Sequence, residues 1–202
     1  MRKGLLFVVS GPSGAGKGTI CKELLKRLDI DLSVSMTTRP PRIGEIEGES
    51  YYFVSEEEFL RTKENGGLLE CACVYGNYYG TPKQMVLEKL AAGRDVILEI
   101  DIQGALAVRE VYPEGVFIFI LPPTLAELRK RITERGTDTQ EVIARRMSET
   151  LKEISCIDKY DYFVVNGELS EATERVEAIM AAEHCRVSED IYQLIEEYKE
   201  EL

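Results

Sequence analysis

The stretch that decides the fold is residues 5–19, LLFVVSGPSGAGKGT. It opens with the apolar run 5–9, which predicts a strand buried on both faces in a parallel sheet. A glycine-rich loop follows at 11–17, and a helical pattern then runs from Lys17 to Leu28. Strand, loop and helix in this order predict a phosphate-binding loop in an α/β protein.

The composition of the loop explains its chemistry. Glycines let the backbone turn so that successive N–H groups converge on an anion. The following helix adds the positive end of its dipole, and Lys17 supplies a positive charge for the outer phosphates of a nucleotide. This context disfavours a ligand-free glycine turn. The nucleotide-binding positions predicted from the loop are Gly11, Pro12, Ser13, Gly14, Ala15, Gly16, Lys17, Gly18 and Thr19.

Position 18 departs from the usual form of this motif. A Ser or Thr commonly follows the lysine and binds Mg²⁺ through its hydroxyl, whereas this chain has Gly18 there and Thr19 one residue later. We therefore expect phosphate groups and water to supply most ligands of a magnesium ion, with Thr19 and Glu99 as the protein groups that could assist.

Length, charge and cysteine content bound the class of protein. The 202 residues suffice for one α/β core with insertions. The net charge of -11 argues against a nucleic-acid partner. Five cysteines and one histidine show no zinc-ligand spacing, which favours reduced thiols and a cytoplasmic protein. We recognise no signal peptide and no apolar run long enough to span a membrane, so no membrane partner is expected.

A second candidate site lies in residues 35–45, SMTTRPPRIGE. Its two prolines exclude a regular helix, so Arg39 and Arg42 lie on an extended loop. Guanidinium groups suit phosphate because their N–H donors form paired hydrogen bonds. The phosphate-binding loop upstream favours this role over that of solvated surface charges.

The alternation of strands and helices predicts the architecture. Besides 5–9, buried strands are predicted at 95–101, 116–121 and 162–166, with helices between them. This order gives a three-layer α/β fold, a parallel sheet with helices on both faces. We expect a single domain with a core (1–34, 84–126 and 155–202), a small β-rich insertion at 35–83 and a helical lid at 127–154.

Two carboxylates end the predicted strand 95–101. Glu99 and Asp101 would share one face by strand alternation. Ligands of open parallel sheets bind beyond the carboxyl ends of the strands. We expect one carboxylate to assist Mg²⁺ through water and the other to contact the substrate; a solvated pair at the strand end is the alternative.

Six motifs extend over nearly the whole chain: GPSGAGKGT (11–19), SVSMTTRPPRIGE (33–45), GESYYFV (48–54), GNYYGT (76–81), ILEIDIQG (97–104) and RITERGT (131–137). Together they resemble the guanylate kinase family. The resemblance implies transfer of the γ-phosphoryl group of ATP to GMP, giving ADP and GDP, in purine nucleotide recycling, with Mg²⁺ as the cofactor. ATP and GMP are then the small-molecule partners, and the oligomeric state stays open.

The resemblance also implies residue roles. Two arginines and two tyrosines would bind the GMP phosphate: Arg39, Arg42, Tyr51 and Tyr79. Four residues would contact the guanine base: Ser35, Glu70, Thr81 and Asp101. The arginines of the lid would be Arg131, Arg135 and Arg146, and Asn166 would lie in the adenine region.

Base chemistry supports the assignment of Glu70 independently. Guanine presents an N1–H and an N2 amine side by side, and one carboxylate can accept from both. Adenine lacks this arrangement and would leave a desolvated Glu70 without partners. A hydroxyl such as that of Thr81 or Ser35 can donate to guanine O6.

Three other readings of the sequence are weaker. A GTPase would explain the DxxG pattern at 101–104, but the chain has no NKxD motif for base recognition. A non-catalytic interaction module of the guanylate-kinase type commonly has a degraded phosphate loop, whereas Lys17 is present. An adenylate kinase shares GKGT, but Glu70 and the GNYYGT segment argue against it.

Overall fold

The structure, a computed structural model, describes residues 3–74, 76–134, 140–187 and 190–201. The strands are β1 (Leu6–Ser10), β2 (Asp31–Leu32), β3 (Met36–Thr37), β4 (Tyr52–Phe53), β5 (Leu68–Val74), β6 (Asn77–Pro82), β7 (Val96–Glu99), β8 (Val116–Leu121) and β9 (Tyr162–Val165). The helices are α1 (Lys17–Arg27), α2 (Glu56–Glu64), α3 (Lys83–Ala91), α4 (Ile102–Val111), α5 (Leu125–Glu134), α6 (Gln140–Ile154), α7 (Leu169–His184) and α8 (Asp190–Glu200), with a 3₁₀ turn at Ile157–Lys159.

The larger sheet is parallel throughout, in the order β2-β7-β1-β8-β9. Strand β1 lies at its centre, with Val8 beside Leu98 of β7 and Phe117 of β8. All five residues of β1 are buried, as expected for a strand covered on both faces. The predicted parallel sheet with helices on both faces is confirmed.

Two hydrophobic clusters fill the spaces between the sheet and its helices. Phe7 and Val9 point to the face covered by α1 and α7. Leu6 and Val8 point to the opposite face, which α3 and α4 cover. The strict alternation of β1 thus divides one apolar run between two cores.

A smaller sheet has the order β4-β3-β6-β5. Strands β5 and β6 form an antiparallel hairpin, and β3 pairs antiparallel with β6 and parallel with β4. All four strands lie inside the segment 35–83. Helix α4 packs against β5 and brings this sheet to the edge of the larger one. The boundaries proposed for core, insertion and lid stay a prediction.

Two details of the predicted strands are wrong. The strand predicted at 95–101 ends at Glu99, and Asp101 is the N-cap of α4, where its Oδ1 accepts a hydrogen bond from the Gly104 N–H at 2.8 Å. Glu99 and Asp101 therefore do not share a strand face. Strand β9 is not fully buried, because it lies at the edge of the sheet and exposes 62% of Phe163.

The last helix, α8, carries exposed apolar side chains, among them Tyr192 and Tyr198. Within the described ranges, no helix combines the length and the apolarity needed to cross a lipid bilayer.

Candidate active site

The phosphate-binding loop joins β1 to α1 at the carboxyl edge of the larger sheet. Its backbone depends on left-handed glycines, and Gly16 at the N-cap of α1 has φ +93°. A Cβ at Gly16 would lie 2.2 Å from the Asn166 amide nitrogen. A side chain at position 16 is therefore excluded by both backbone conformation and space.

Lys17 begins α1 and folds back over the loop. Its Nζ donates hydrogen bonds to the carbonyl oxygens of Gly11 at 2.6 Å and Pro12 at 3.2 Å. Burial lowers the pKa of the ammonium group, and the negative charges of Glu99, Glu153 and Asp101 oppose that shift. The residues around Lys17 thus favour its charged form, which phosphate binding requires. Glu153, on α6, has no sequence motif that points to this position.

Asn166 follows β9 and supports the loop from below. Its buried side-chain amide donates to the carbonyl oxygen of Ala15 at 2.8 Å. The backbone oxygen of Asn166 accepts from Arg131 Nη2 at 3.2 Å. The structure therefore gives Asn166 a role in fixing the loop, and its contact with adenine stays a prediction.

Helix α5 covers the other side of the loop. The side chains of Leu128 and Ile132 lie 3.0 and 3.1 Å from the position that a Cβ at Gly14 would occupy. This packing places Arg131 beside the loop, where its Nε donates to Glu127 Oε1 at 3.0 Å. Of the other predicted lid arginines, Arg135 and the side chain of Arg146 lie outside the described residues.

Arg39, which follows β3 of the smaller sheet, makes several contacts that fix its side chain. Its Nε donates to the Tyr79 hydroxyl at 3.1 Å and its Nη2 to Glu45 Oε1 at 2.8 Å, while the guanidinium carbon lies 5.5 Å from the Tyr51 ring centroid. The rings of Tyr51 and Tyr79 contact each other edge to face at 5.9 Å. Three of the four predicted phosphate-binding residues thus form one cluster.

Arg42, the fourth, is exposed; its backbone N–H donates to Glu45 Oε2 at 2.7 Å, and its carbonyl oxygen accepts from the Glu45 N–H at 3.1 Å. Each carboxylate oxygen of Glu45 therefore accepts a hydrogen bond, one from the side chain of Arg39 and the other from the backbone of Arg42. The sequence analysis missed Glu45. Its signal was a carboxylate three residues after Arg42 in a segment otherwise suited to anions.

Glu70 on β5 is only 7% exposed and lies beside the N-terminal turn of α4. Its Oε1 accepts from the Thr81 hydroxyl at 2.7 Å. A Cβ at Gly104 would lie 2.8 Å from Oε2, so the absence of a side chain there makes room for the carboxylate. Burial raises the pKa of Glu70 to about 7, and the charge of Asp101 adds to the rise while the Thr81 hydroxyl opposes it.

The Thr81 hydrogen bond changes one expected role. The single hydroxyl proton of Thr81 is donated to Glu70, so Thr81 orients the carboxylate and its proton is not free for guanine O6. Ser35, the residue before β3, is half-buried and is the other predicted hydroxyl donor. Its contact with O6 stays a prediction.

Electrostatic interactions connect the three groups of residues across one cleft. Asp101 acts on the pKa of both Lys17 and Glu70. Burial raises the pKa of Tyr51, and the charges of Tyr79 and Glu99 add to that rise. The charges of Asp101 and Glu99 therefore influence residues of the loop, the arginine–tyrosine cluster and the Glu70 pocket.

The residues near α1 fit a metal ion that takes most of its ligands from phosphate and water. The described residues contain no group of three His, Cys, Asp or Glu side chains able to hold a metal. Glu99 ends β7 with its carboxylate directly beside Gly18, and Thr19 is exposed on the first turn of α1. Both supply oxygen ligands of the kind that Mg²⁺ prefers.

Comparisons with known proteins agree with this geometry. The sequence model of the guanylate kinase family matches residues 3–183. The chain belongs to the guanylate kinase family. Its members transfer a phosphoryl group from ATP to GMP, and this protein is accordingly an ATP:GMP phosphotransferase.

Relatives cover nearly the full chain. The guanylate kinase of Clostridium tetani is 58% identical over 187 residues, which are 93% of this chain and 90% of that protein. The guanylate kinase of Caldanaerobacter subterraneus subsp. tengcongensis is 55% identical and covers 97% of each chain. The crystal structure of guanylate kinase from Anaplasma phagocytophilum matches with a TM-score of 0.78 at 37% identity, covering 93% of this chain and 89% of the other.

Family membership decides between the alternatives raised by the sequence. The GTPase and adenylate kinase readings each accounted for one motif, and the family match covers all six. The interaction-module reading required a degraded loop, whereas Lys17 and the left-handed glycines form a complete phosphate-binding turn.

Proposed function

We propose which residues of this guanylate kinase, which converts ATP and GMP to ADP and GDP, bind each part of its two substrates. The backbone of the loop and Lys17 bind the β and γ phosphates of ATP. Arg39 and Arg42 bind the phosphate of GMP, and Glu70 recognises the guanine base.

The buried Glu70 carboxylate, oriented by Thr81, is the observation that supports the acceptor assignment best. A carboxylate is an acceptor at both oxygens, and guanine alone among the common bases offers an N–H and an amine side by side. Any other base would leave this largely buried carboxylate with fewer donors than guanine supplies, which costs about 1–3 kcal/mol. Selectivity for GMP therefore rests on one well-oriented side chain.

The arginine–tyrosine cluster positions the nucleophile. Tyr79, Tyr51 and Glu45 all contact the guanidinium of Arg39 and fix its position beside the smaller sheet. A phosphate bound there has one oxygen free to attack the terminal phosphorus of ATP in line. Phosphoryl transfer depends mainly on such alignment and on charge stabilisation, so no general base of high strength is required.

Positive charge at the transferring group comes from Lys17 and from the lid arginines, Arg131, Arg135 and Arg146. Arg131 lies beside the loop, where Glu127 orients its guanidinium. Closing these groups over the phosphates excludes water, which would otherwise hydrolyse ATP.

Mg²⁺ is the proposed cofactor, held by phosphate oxygens and water with Glu99 and Thr19 as the protein groups in reach. Bound there, it neutralises negative charge on the β and γ phosphates during transfer. The proposed location is the cytoplasm, and the five cysteines are free thiols, as a reducing compartment maintains.

Substitution of Arg39 tests the acceptor site. Arg39→Ala should raise the KM for GMP and lower kcat, reducing kcat/KM for GMP about 100-fold or more, because both binding and alignment are lost. The KM for ATP should stay within about twofold. Arg61→Ala is the matched control, since Arg61 is an exposed arginine on α2. An Arg39→Ala variant with unchanged kcat/KM would remove the cluster from the acceptor site.

A further inference from the structure

Two positions in the site differ from the usual phosphate-loop arrangement, in which a Ser or Thr of the loop and an Asp at the end of a neighbouring strand hold the metal. Here the loop position is Gly18 and the strand-end residue is Glu99. Gly18 by itself is unfavourable, and Glu in place of Asp at position 99 by itself has no explanation. Gly18 removes a hydroxyl ligand and lies within a helix, where glycine costs stability.

The structure brings the two positions into direct contact. A Cβ built on Gly18 would lie 3.0 Å from Glu99 Oε1 and 3.2 Å from Oε2. Both carboxylate oxygens therefore lie closer to that point than ordinary van der Waals contact permits. The extra methylene of Glu99, compared with an aspartate, carries the carboxylate into the space that a side chain at position 18 would fill.

We propose that Gly18 and Glu99 are a complementary pair, in which the Glu99 carboxylate takes the place of the missing loop hydroxyl as the protein oxygen facing the nucleotide-bound metal ion. Gly18 is then a positioning residue, since its lack of a side chain makes room for Glu99. A hydroxyl at position 18 and a carboxylate of this length compete for one space.

Burial raises the pKa of Glu99, and the positive charges of Lys17 and Lys22 oppose that rise. The inference rests on nucleotide binding by the loop and does not depend on which acceptor is phosphorylated.

A double-substitution cycle tests the pair. The variants are G18S, E99D and the combination of both, and the measurement is Mn²⁺ affinity by electron paramagnetic resonance, with the enzyme saturated by a non-hydrolysable ATP analogue. E99D alone withdraws the carboxylate and should weaken Mn²⁺ binding about tenfold. G18S alone should also weaken it several-fold, because the new side chain displaces or engages the carboxylate. The combination should return to within about twofold of the parent enzyme.

A second combination separates ligand exchange from relief of crowding. G18A with E99D relieves the same contact but supplies no hydroxyl, so its Mn²⁺ affinity should stay low. Equal recovery with G18A and G18S would overturn the proposal, and so would single effects that simply multiply in the double variant. Circular dichroism and the Tm without nucleotide verify that each variant folds. Because the assay involves no acceptor, failure of the GMP assignment would leave this result unaffected.

Discussion

At the scale of single residues, the proposed selectivity for guanine rests on Glu70, and burial of its carboxylate has a cost. The side chain is buried beside Gly104 and accepts one hydrogen bond from Thr81, so it is poorly solvated before the base arrives. Guanine would supply two further donors. Binding thus satisfies a carboxylate that the fold leaves short of partners, which makes discrimination large for one residue.

Replacing that carboxylate should separate the two nucleotides. Glu70→Gln keeps the size of the side chain but puts a donor where guanine also donates, so kcat/KM for GMP should fall about 10- to 100-fold. The KM for ATP should change by less than about twofold in steady-state assays. Glu57→Gln, on the exposed side of α2, is the matched control. Equal losses for GMP and ATP would show that Glu70 supports the fold and does not read the base.

The raised pKa of Glu70 predicts a pH dependence of GMP recognition. Burial raises that pKa to about 7, and only the ionised group accepts from both guanine donors. Between pH 8 and pH 6 the ionised fraction in the free enzyme falls about tenfold, so the KM for GMP should rise by about the same factor. Initial rates at varied GMP and saturating ATP measure it.

Because the phosphate of GMP also titrates in this range, the control is the same profile with Glu70→Gln. That variant should lose the part of the pH dependence that belongs to the side chain. Parallel profiles for the parent enzyme and the variant would contradict the assignment.

At the scale of elements, two helix-capping side chains, Ser55 and Asp101, differ in whether they affect only a helix or also the candidate site. Ser55 caps α2 by accepting from the Glu58 N–H at 3.1 Å. Asp101 caps α4 in the same way, and its charge also raises the pKa of both Lys17 and Glu70. Ser55 therefore affects α2 alone, whereas Asp101 affects both α4 and the candidate site.

Removing the two caps should have equal effects on stability and unequal effects on catalysis. Ser55→Ala and Asp101→Ala should each lower the free energy of unfolding by about 0.5–2 kcal/mol in urea titrations. Ser55→Ala should leave the KM for GMP unchanged, whereas Asp101→Ala should raise it several-fold. An Asp101→Ala variant with the parent KM would limit Asp101 to capping.

The elements also show what the sequence could predict. Strand β8 has the predicted bounds because they depend on a local apolar pattern. The alternating pattern through Glu99 predicts a strand position for Asp101. The structure differs because the Asp101 side chain accepts from the Gly104 N–H and so begins α4. The exposure of Phe163 depends on the strand order of the sheet, which an apolar run does not reveal.

The candidate site likewise contains residues that the sequence could predict and residues that it could not. The loop and Arg39 lie in quoted motifs, and the resemblance identified Glu70 outside them. Glu45, Glu153 and the support of the loop by Asn166 depend on contacts between distant parts of the chain. Such contacts have no local signature, and neither does the pairing of Gly18 with Glu99.

At the scale of the whole molecule, the cleft is formed where two sheets meet. The larger sheet supplies the loop and Glu99 at its carboxyl edge, as open parallel sheets do. The smaller sheet supplies Arg39, the tyrosines and Glu70. With a net charge of -11, the chain needs local positive charge to bind anionic nucleotides, and Lys17, Arg39 and Arg131 are the cations that we propose for this role.

The most direct test of the account is the choice of acceptor. ADP formation is measured with ATP and Mg²⁺ while GMP, AMP, CMP or UMP is added one at a time. We predict rapid turnover with GMP and at least about 100-fold lower kcat/KM with each of the others. Comparable turnover with AMP would contradict base reading by Glu70, and no turnover with any acceptor would contradict the catalytic role of the cleft.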